Sequence, residues 1–248
     1  MKLVTFNLRC CWNGDGINAF PNRAGGILEK IRMERPEILC FQEGIEASIR
    51  LLKGALPEYT FIFNQRNADY RGEGMATAFR KDAVDLLGLD CFWLSDTPHT
   101  AGSRFEEQSN CPRICQCMLL RANGTMFRVY NTHLDHVNDK ARILGLQAIY
   151  KRMAEDRKIR PLPVFLLGDF NAEPASDTIR SCSENALFPL VDLTQEIPAS
   201  FHGFGVCESK IDYIYADRDY EKTVTAWDEM LNGVYLSDHY PLQVEFDL

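Results

Sequence analysis

The stretch LLGDFNAEP, residues 166–174, closes an apolar run with Asp169 and Asn171, separated by one phenylalanine. Side chains along a strand alternate between faces, so polar groups at i and i+2 point the same way while the extended geometry lasts. Other apolar runs finish in the same manner. Leu3–Phe6 leads into Asn7, ILCFQ into Glu43, and FRVYNT into His133, with Asp135 and His136 just beyond. KIDYIY carries Asp212 near its start, and LSDHYPL carries Asp238 beside His239. Each alone has an ordinary explanation: Asn7 starting a turn, Glu43 opening a helix, His133 as a satisfied core histidine. Together they ask for a common cause, because strand ends in a layered fold converge on one edge.

Carboxylates with an asparagine carbonyl are hard oxygen ligands suited to Mg²⁺, with Mn²⁺ as the alternative. The thiol–imidazole set that zinc favours is missing from these positions. Two histidines with spare carboxylates can form dyads that orient the ring and stabilise its charged form. A cation, imidazoles and an activated water suit hydrolysis of a phosphoester, in which charge on the phosphoryl oxygens must be neutralised while water attacks in line.

The elements that must position these groups are legible as period-two and period-3.6 patterns. Strands are expected at Leu3–Leu8, Ile38–Gln42, Thr60–Phe63, Met75–Arg80, Ile114–Leu120, Phe127–Thr132, Val164–Leu167, Lys210–Tyr215 and Leu242–Phe246. Helices are expected at Asn22–Glu34, Ile45–Ala55, Lys140–Asp156 and Ala175–Glu184. In the third, Ile143, Leu146, Ile149, Tyr150 and Met153 form an apolar stripe, and Asn138 or Asp139 can cap it. Long polar loops are expected at Asn13–Asn22, Ser95–Pro112 and Ala199–Ser209. The strand-rich C-terminal part argues for sheets packed face to face with helices outside, rather than a strictly alternating parallel sheet.

The 248 residues include 46% hydrophobic and 25% charged side chains, which fits one large α/β domain spanning 1–248. No apolar run reaches the roughly 18 residues of a membrane span, and the N-terminus lacks a signal-peptide layout, so a cytoplasmic protein is expected. The net charge of −8 argues against broad, counterion-driven adhesion to nucleic acid or anionic membrane, without excluding a phosphate-cleaving enzyme. Nine cysteines, an odd number, argue against a disulfide framework. Cys111, Cys115 and Cys117 lack a second pair for zinc and read as reduced, packed thiols. The NGDGIN stretch at 13–18 lacks the rest of a calcium loop. Trp12, Phe92 and Trp93 read first as core, with stacking on a ring as the alternative.

The motifs TFNLR, CFQE, NTHLDH, GDFNAEP, KIDYI and SDHYPL, in that order from Asn7 to His239, resemble the endonuclease/exonuclease/phosphatase superfamily. It includes deoxyribonuclease-I-like nucleases, apurinic endonucleases, deadenylases, sphingomyelinases and inositol-polyphosphate phosphatases. The resemblance implies a four-layer α/β sandwich, with two mixed sheets face to face and helices outside. It also implies Glu43 as the principal Mg²⁺ ligand, helped by Asn7, with Asp238 at the metal side. Asp169 would position or deprotonate the attacking water, and Asn171 would hold that water or the phosphate. His239, paired with Asp212, would bind and polarise the scissile phosphate. His133 would donate a proton to the leaving oxygen, paired with Glu73. Arg113 falls where relatives carry a phosphate-contacting arginine.

Ala172, Glu173 and Pro174 follow the GDFN motif where inositol-polyphosphate phosphatases carry an aromatic and an arginine, and NTHLDH departs from the apurinic-endonuclease pattern. NTHL and GDFNAEP sit nearer the deadenylase and general nuclease branches, and the chain also resembles compact bacterial members. The expected activity is therefore a phosphodiesterase acting on nucleic acid or a nucleotide-like substrate. A phosphomonoesterase or small-head-group phosphodiesterase is the alternative, and a catalytically silent binding module a remote one. Nothing in the sequence singles out a protein partner.

Overall fold

The computed structural model describes residues 1–10, 14–231 and 233–248. Trp12, Cys11 and the first residue of the 13–18 stretch lie outside them. Two six-stranded mixed sheets carry the fold. The first runs, in order, β11 (Lys222–Ala226), β14 (Leu242–Phe246), β1 (Lys2–Asn7), β2 (Ile38–Gly44), β4 (Gly74–Arg80) and β3 (Tyr59–Gln65). The second runs β5 (Asp85–Trp93), β6 (Ile114–Ala122), β7 (Thr125–His133), β8 (Val164–Asp169), β10 (Asp212–Ala216) and β9 (Val191–Asp192). A short ribbon joins β12 (Met230–Leu231) to β13 (Val234–Tyr235). The α-helices are α1 (Phe20–Glu34), α2 (Glu46–Ala55), α3 (Asp139–Ile159) and α4 (Asp177–Ser183).

Period-two alternation sorts the strands' apolar residues into three large cores and one small cluster of Met75, Trp93 and Ile114. On β1, Leu3 enters the core between the sheets, whereas Val4 and Phe6 turn outward to meet Ile27 and Ile31 of α1 and Ile49 and Leu52 of α2. On β8, Phe165 and Leu167 enter the same inter-sheet core, and Leu166 turns to Leu146, Ile149 and Met153 of α3. The resulting layers are helix, sheet, sheet, helix. Each of these fully buried aliphatic or aromatic side chains contributes roughly 1.5–3 kcal/mol relative to exposure.

The inner faces are not apolar throughout. Toward one edge of the sandwich, Thr5, Gln42, Thr77, Gln116 and Asn131 replace the hydrophobic residues and are buried. Gln42 Nε2 donates to Asn131 Oδ1 at 2.9 Å, and Thr77 Oγ1 donates to Gln116 Oε1 at 2.9 Å, so each sheet supplies partners for the other. Such a satisfied layer fixes the register of two sheets that apolar contacts alone would let slide. The ionisable groups lie just beyond it.

The expected elements appear with small shifts. Helix α1 starts at Phe20, because Pro21 suits the first helical turn. The α3 stripe is buried at Leu146, Ile149, Tyr150 and Met153, and Asn138 caps the helix by accepting the Lys140 N–H at 2.9 Å. Strands β5 and β11 were not anticipated. Both are edge strands with alternating exposure, and in β11 the apolar residues alternate with polar ones. Phe92 and Trp93 are core residues, and the Trp93 indole N–H donates to the Arg66 carbonyl at 2.6 Å. Cys115 and Cys117 are buried free thiols on β6.

Candidate active site

The polar strand ends meet where β1, β2, β7 and β8 finish and β10 begins. Strands β1 and β2 run parallel, as do β7 and β8, so each pair delivers its C-termini to one edge. Strand β10 is antiparallel to β8, and Asp212 at its start registers opposite Asp169 at the end of β8. Alternation does the aiming. Asn7 shares its face with Leu3 and Thr5, Asp169 with Phe165 and Leu167, Asp212 with Ile214, and His133 with Phe127, Val129 and Asn131.

Glu43 breaks this rule. Strict alternation would send it outward with Leu39 and Phe41. Its φ of 56° and a register shift between Phe41 and Gly44 turn it into the site instead. A non-glycine residue in the left-handed region is strained, and such strain clusters at functional positions. Asn171, with φ 50°, shares the feature. Gly168 explains the glycine of GDFN: with φ 145°, a Cβ there would lie 1.8 Å from the Thr132 carbonyl oxygen of the neighbouring strand.

Asp169 is the hub. Its Oδ2 accepts from Asn7 Nδ2 at 2.9 Å and faces His133 Nε2 at 3.4 Å and His239 Nε2 at 3.9 Å. Its Oδ1 accepts the Asn171 backbone N–H at 2.8 Å. Asn7 Nδ2 also donates to Glu43 Oε1 at 3.1 Å, and the second Glu43 oxygen accepts the Cys10 N–H at 3.0 Å. Asn7 thus ties the two carboxylates together, while its amide oxygen accepts the Arg9 N–H at 2.9 Å. On the far side, His239 Nδ1 lies 2.8 Å from Asp212 Oδ2, and Phe201 packs edge-on against the His239 ring. Asp238 accepts from Ser237 Oγ at 3.1 Å and lies 3.6 Å from Arg9 Nη1.

Burial and neighbours divide the charges unequally. Burial disfavours a charged His239, but Asp212, then Asp169 and Asp238, outweigh it and hold the ring's pKa up at about 10. Burial, then the Asp212 charge, pushes Asp169 up to about 7. For Glu43, burial pushes upward, yet bonds from Cys10 and Asn7 with the His239 and Arg9 charges carry the carboxyl below its usual range. Burial raises Asp238 despite nearby His239. His133 goes the opposite way from His239: burial, then the Arg113 and Arg66 charges, lowers it well below an ordinary histidine.

Two sequence-based expectations change here. Glu73 does not pair with His133; its carboxylate is 2.7 Å from Arg66 Nη2, because the β3–β4 hairpin sets both residues on its own loop. His133 lies 3.4 Å from Asp169 instead, where burial and the Arg113 and Arg66 charges disfavour its charged form. Arg113 is almost wholly buried, with Nη2 3.1 Å from Nδ1 of His136. Asp135 and His136 do not form a pair: Asp135 accepts the Val137 and Asn138 N–H groups at 3.1 and 2.9 Å and bonds Ser109, pinning the 95–112 loop, while His136 is exposed. Asn171 Nδ2 donates to the Leu134 carbonyl at 3.1 Å. Sequence reasoning missed Arg66, for which no local pattern exists, and Arg9, although it closes the TFNLR motif.

Ligand atoms of Glu43, His133 and Asp169 lie within 4.8 Å of one another, and so do those of Asp169, Asp212 and His239. The first group, with two carboxylates and one imidazole, fits a hard divalent cation; the second is already committed to a His–carboxylate dyad. The family model for the endonuclease/exonuclease/phosphatase family matches residues 4–239. The chain belongs to this family. Members of the endonuclease/exonuclease/phosphatase family are phosphoester hydrolases that typically use divalent metals. A family structure from Bacteroides vulgatus is 27% identical and superposes with a TM-score of 0.90 over 99% of this chain and 98% of that one. A mannosyl-6-phosphatase from Bacteroides thetaiotaomicron, 24% identical, gives 0.89 over the whole of both chains. D. rerio TDP2, complexed with a single-strand DNA product and 15% identical, gives 0.79 over 100% of this chain and 99% of that one. A search of the curated proteins returned no significant match. Among the described residues no helix is long and apolar enough to cross a membrane.

Proposed function

We propose that this chain is a divalent-metal-dependent phosphoester hydrolase acting through a water held at Asp169. The observation that supports it most is the convergence of two histidines on one carboxylate. Asp169 Oδ2 faces His239, paired with Asp212, on one side and His133 on the other. Opposite pKa shifts on adjacent groups mark acid–base sites.

Glu43 and Asp169, tied by Asn7, would hold Mg²⁺ or Mn²⁺, with Asp238 beyond Arg9 at the same edge. The bound cation would supply charge neutralisation at the phosphoryl group. Asp169 in its ionised form, which a bound cation would favour, accepts the proton of the attacking water. The water oxygen bonds phosphorus, the ester P–O bond breaks, and the leaving oxygen takes up a proton. Charged His239 stabilises the negative oxygens as they develop. The Asn171 backbone and side chain hold the turn that aims Asp169.

The test is hydrolysis of a panel: single- and double-stranded DNA, poly(A) RNA, a chromogenic phosphodiester, inositol phosphates, a sugar phosphate and sphingomyelin. Turnover of at least one substrate with Mg²⁺ or Mn²⁺, abolished by EDTA, is expected. Turnover that survives EDTA overturns the role given to Glu43, and no turnover of any phosphoester overturns the activity. Nucleic acid, the substrate expected from the sequence, is one arm of that panel.

A further inference from the structure

Strands β1 and β14 run antiparallel, and their register ends with Thr5 opposite Leu242. The groups that carry chemistry lie beyond that point, Asn7 on one segment and Asp238 and His239 on the other. Among the described residues, side chains make the bonds that join the two segments there. Ser237 Oγ donates to the Asn7 carbonyl at 2.7 Å, and Arg9 Nη1 lies 3.6 Å from Asp238 Oδ2. Arg23 of α1 adds the widest set. Its Nη1 donates both to the Leu8 carbonyl at 3.0 Å and to the Leu236 carbonyl at 2.7 Å. Its Nη2 donates to the Arg9 carbonyl at 3.1 Å and its Nε to the Asn18 carbonyl at 2.6 Å.

Leu8 follows Asn7 directly, and Leu236 leads into Ser237, Asp238 and His239. One nitrogen of a side chain that is 1% exposed therefore holds a carbonyl from each segment. A guanidinium is planar and its N–H directions are fixed, so carbonyls bound around it keep a spacing that one rotatable ammonium cannot impose. The 199–209 loop leans on the same group. Gly203, Phe204 and Gly205 have φ of 54°, 60° and 87°. A phenylalanine in the left-handed region is an outlier that persists only where its surroundings over-determine it. Here the Phe204 ring centre lies 5.9 Å from the Arg23 guanidinium carbon. In the same loop the His202 and Gly203 N–H groups donate to the Asp238 carbonyl at 2.9 and 3.1 Å.

The gap that these contacts bound is small. Asp169 Oδ2 lies 2.9 Å from Asn7 Nδ2 and 3.9 Å from His239 Nε2, so a phosphoryl group at this edge reaches both sides only while they keep that separation. We propose that Arg23, assisted by Ser237, is a positioning residue that sets the gap between Asn7 and Glu43 on one side and His239 on the other. This inference rests on the phosphoester-hydrolase reading above and adds to it a residue that touches neither the cation nor the phosphate. A misplacement of about 1 Å is enough to cost on the order of 10²-fold in rate.

The experiment uses calorimetry on wild type and Arg23→Lys to measure the affinity for Mg²⁺ alone, and for inorganic phosphate in EDTA and in saturating Mg²⁺. The kcat on the best substrate of the panel is measured beside them. In wild type Mg²⁺ should tighten phosphate binding at least about 5-fold, because one phosphate then bridges the cation and His239. Arg23→Lys should bind Mg²⁺ within about 3-fold of wild type, lose most of that coupling, and lose about 10- to 100-fold in kcat. A role in stability alone would lower the Tm and leave the coupling intact. Wild type without coupling, or a variant whose coupling and kcat stay within about 3-fold of wild type, overturns the inference. A Mg²⁺ affinity that falls as far as kcat also overturns it, since Arg23 would then support the metal ligands themselves. If Arg23→Lys fails to fold, unchanged coupling in Ser237→Ala overturns it instead. Wild type that hydrolyses no phosphoester removes the hydrolase reading and this inference together, whereas turnover with unchanged coupling in the variant removes this inference alone.

Discussion

His239 Nδ1 lies 2.8 Å from Asp212 Oδ2, with both residues buried and Asp169 on the ring's other nitrogen at 3.9 Å. The pair stores charge where water cannot screen it, and its consequence is a pH-dependent stability. The folded His239 pKa of about 10 exceeds the unfolded value near 6.5. Its contribution is therefore fully present below about pH 6.5 and lost as pH rises through about 10. Asp212→Asn should destabilise the protein at pH 7 by roughly 3–5 kcal/mol, the usual cost of removing one partner of a buried pair. It should also flatten the loss of stability between pH 7 and 10. Urea melts at pH 6, 8 and 10 check both; parallel curves for variant and wild type would contradict the pairing.

Asp169 predicts a second titration. In EDTA its carboxyl should be half-protonated near pH 7, because burial and then Asp212 favour the neutral form. Carbon-13 NMR of labelled aspartate should show one carboxyl with that midpoint, absent from Asp169→Asn. Adding Mg²⁺ should move the midpoint down and release a proton, as cation binding to an acid requires. A midpoint near the ordinary ~4 in EDTA would contradict the assignment.

Asn7 donates to both Glu43 and Asp169, so its loss should loosen the carboxylate pair rather than the fold. Asn7→Ala is expected to weaken Mg²⁺ affinity about 10- to 100-fold, the usual effect of removing a group that orients metal ligands. Calorimetry measures it. Unchanged affinity would show that the carboxylates hold their geometry unaided.

How much of this was legible in the sequence follows from the range of the interactions involved. Strand ends announced themselves because an apolar run followed by Asp, Asn, Glu or His is a local signal, and layering then obliges those ends to meet. The inner strands of both sheets and the four α-helices among the described residues belong to that legible part. Glu43 was recognisable by type, but its route into the site, a left-handed residue at a register shift, is a feature of the folded backbone. The Glu73–His133 pairing failed for the converse reason. Its true partner, Arg66, lies across the same hairpin, and only the hairpin's register reveals it. Edge strands β5 and β11 escaped because one half of each faces solvent. The opposite surroundings of His133 and His239 were equally invisible, since Arg66 and Arg113 reach His133 through tertiary structure alone.

In the proposed mechanism Glu43 and His239 flank one hydrolytic centre. The most direct measurement is single-turnover hydrolysis of the best substrate in the panel, with saturating Mg²⁺, by wild type, Glu43→Ala and His239→Ala, each first shown to melt cooperatively. A loss of at least ~10²-fold in each variant is expected, the scale of one catalytic group. A rate within about 3-fold of wild type in either variant, less than half of one RT ln 10 step in barrier, would contradict it.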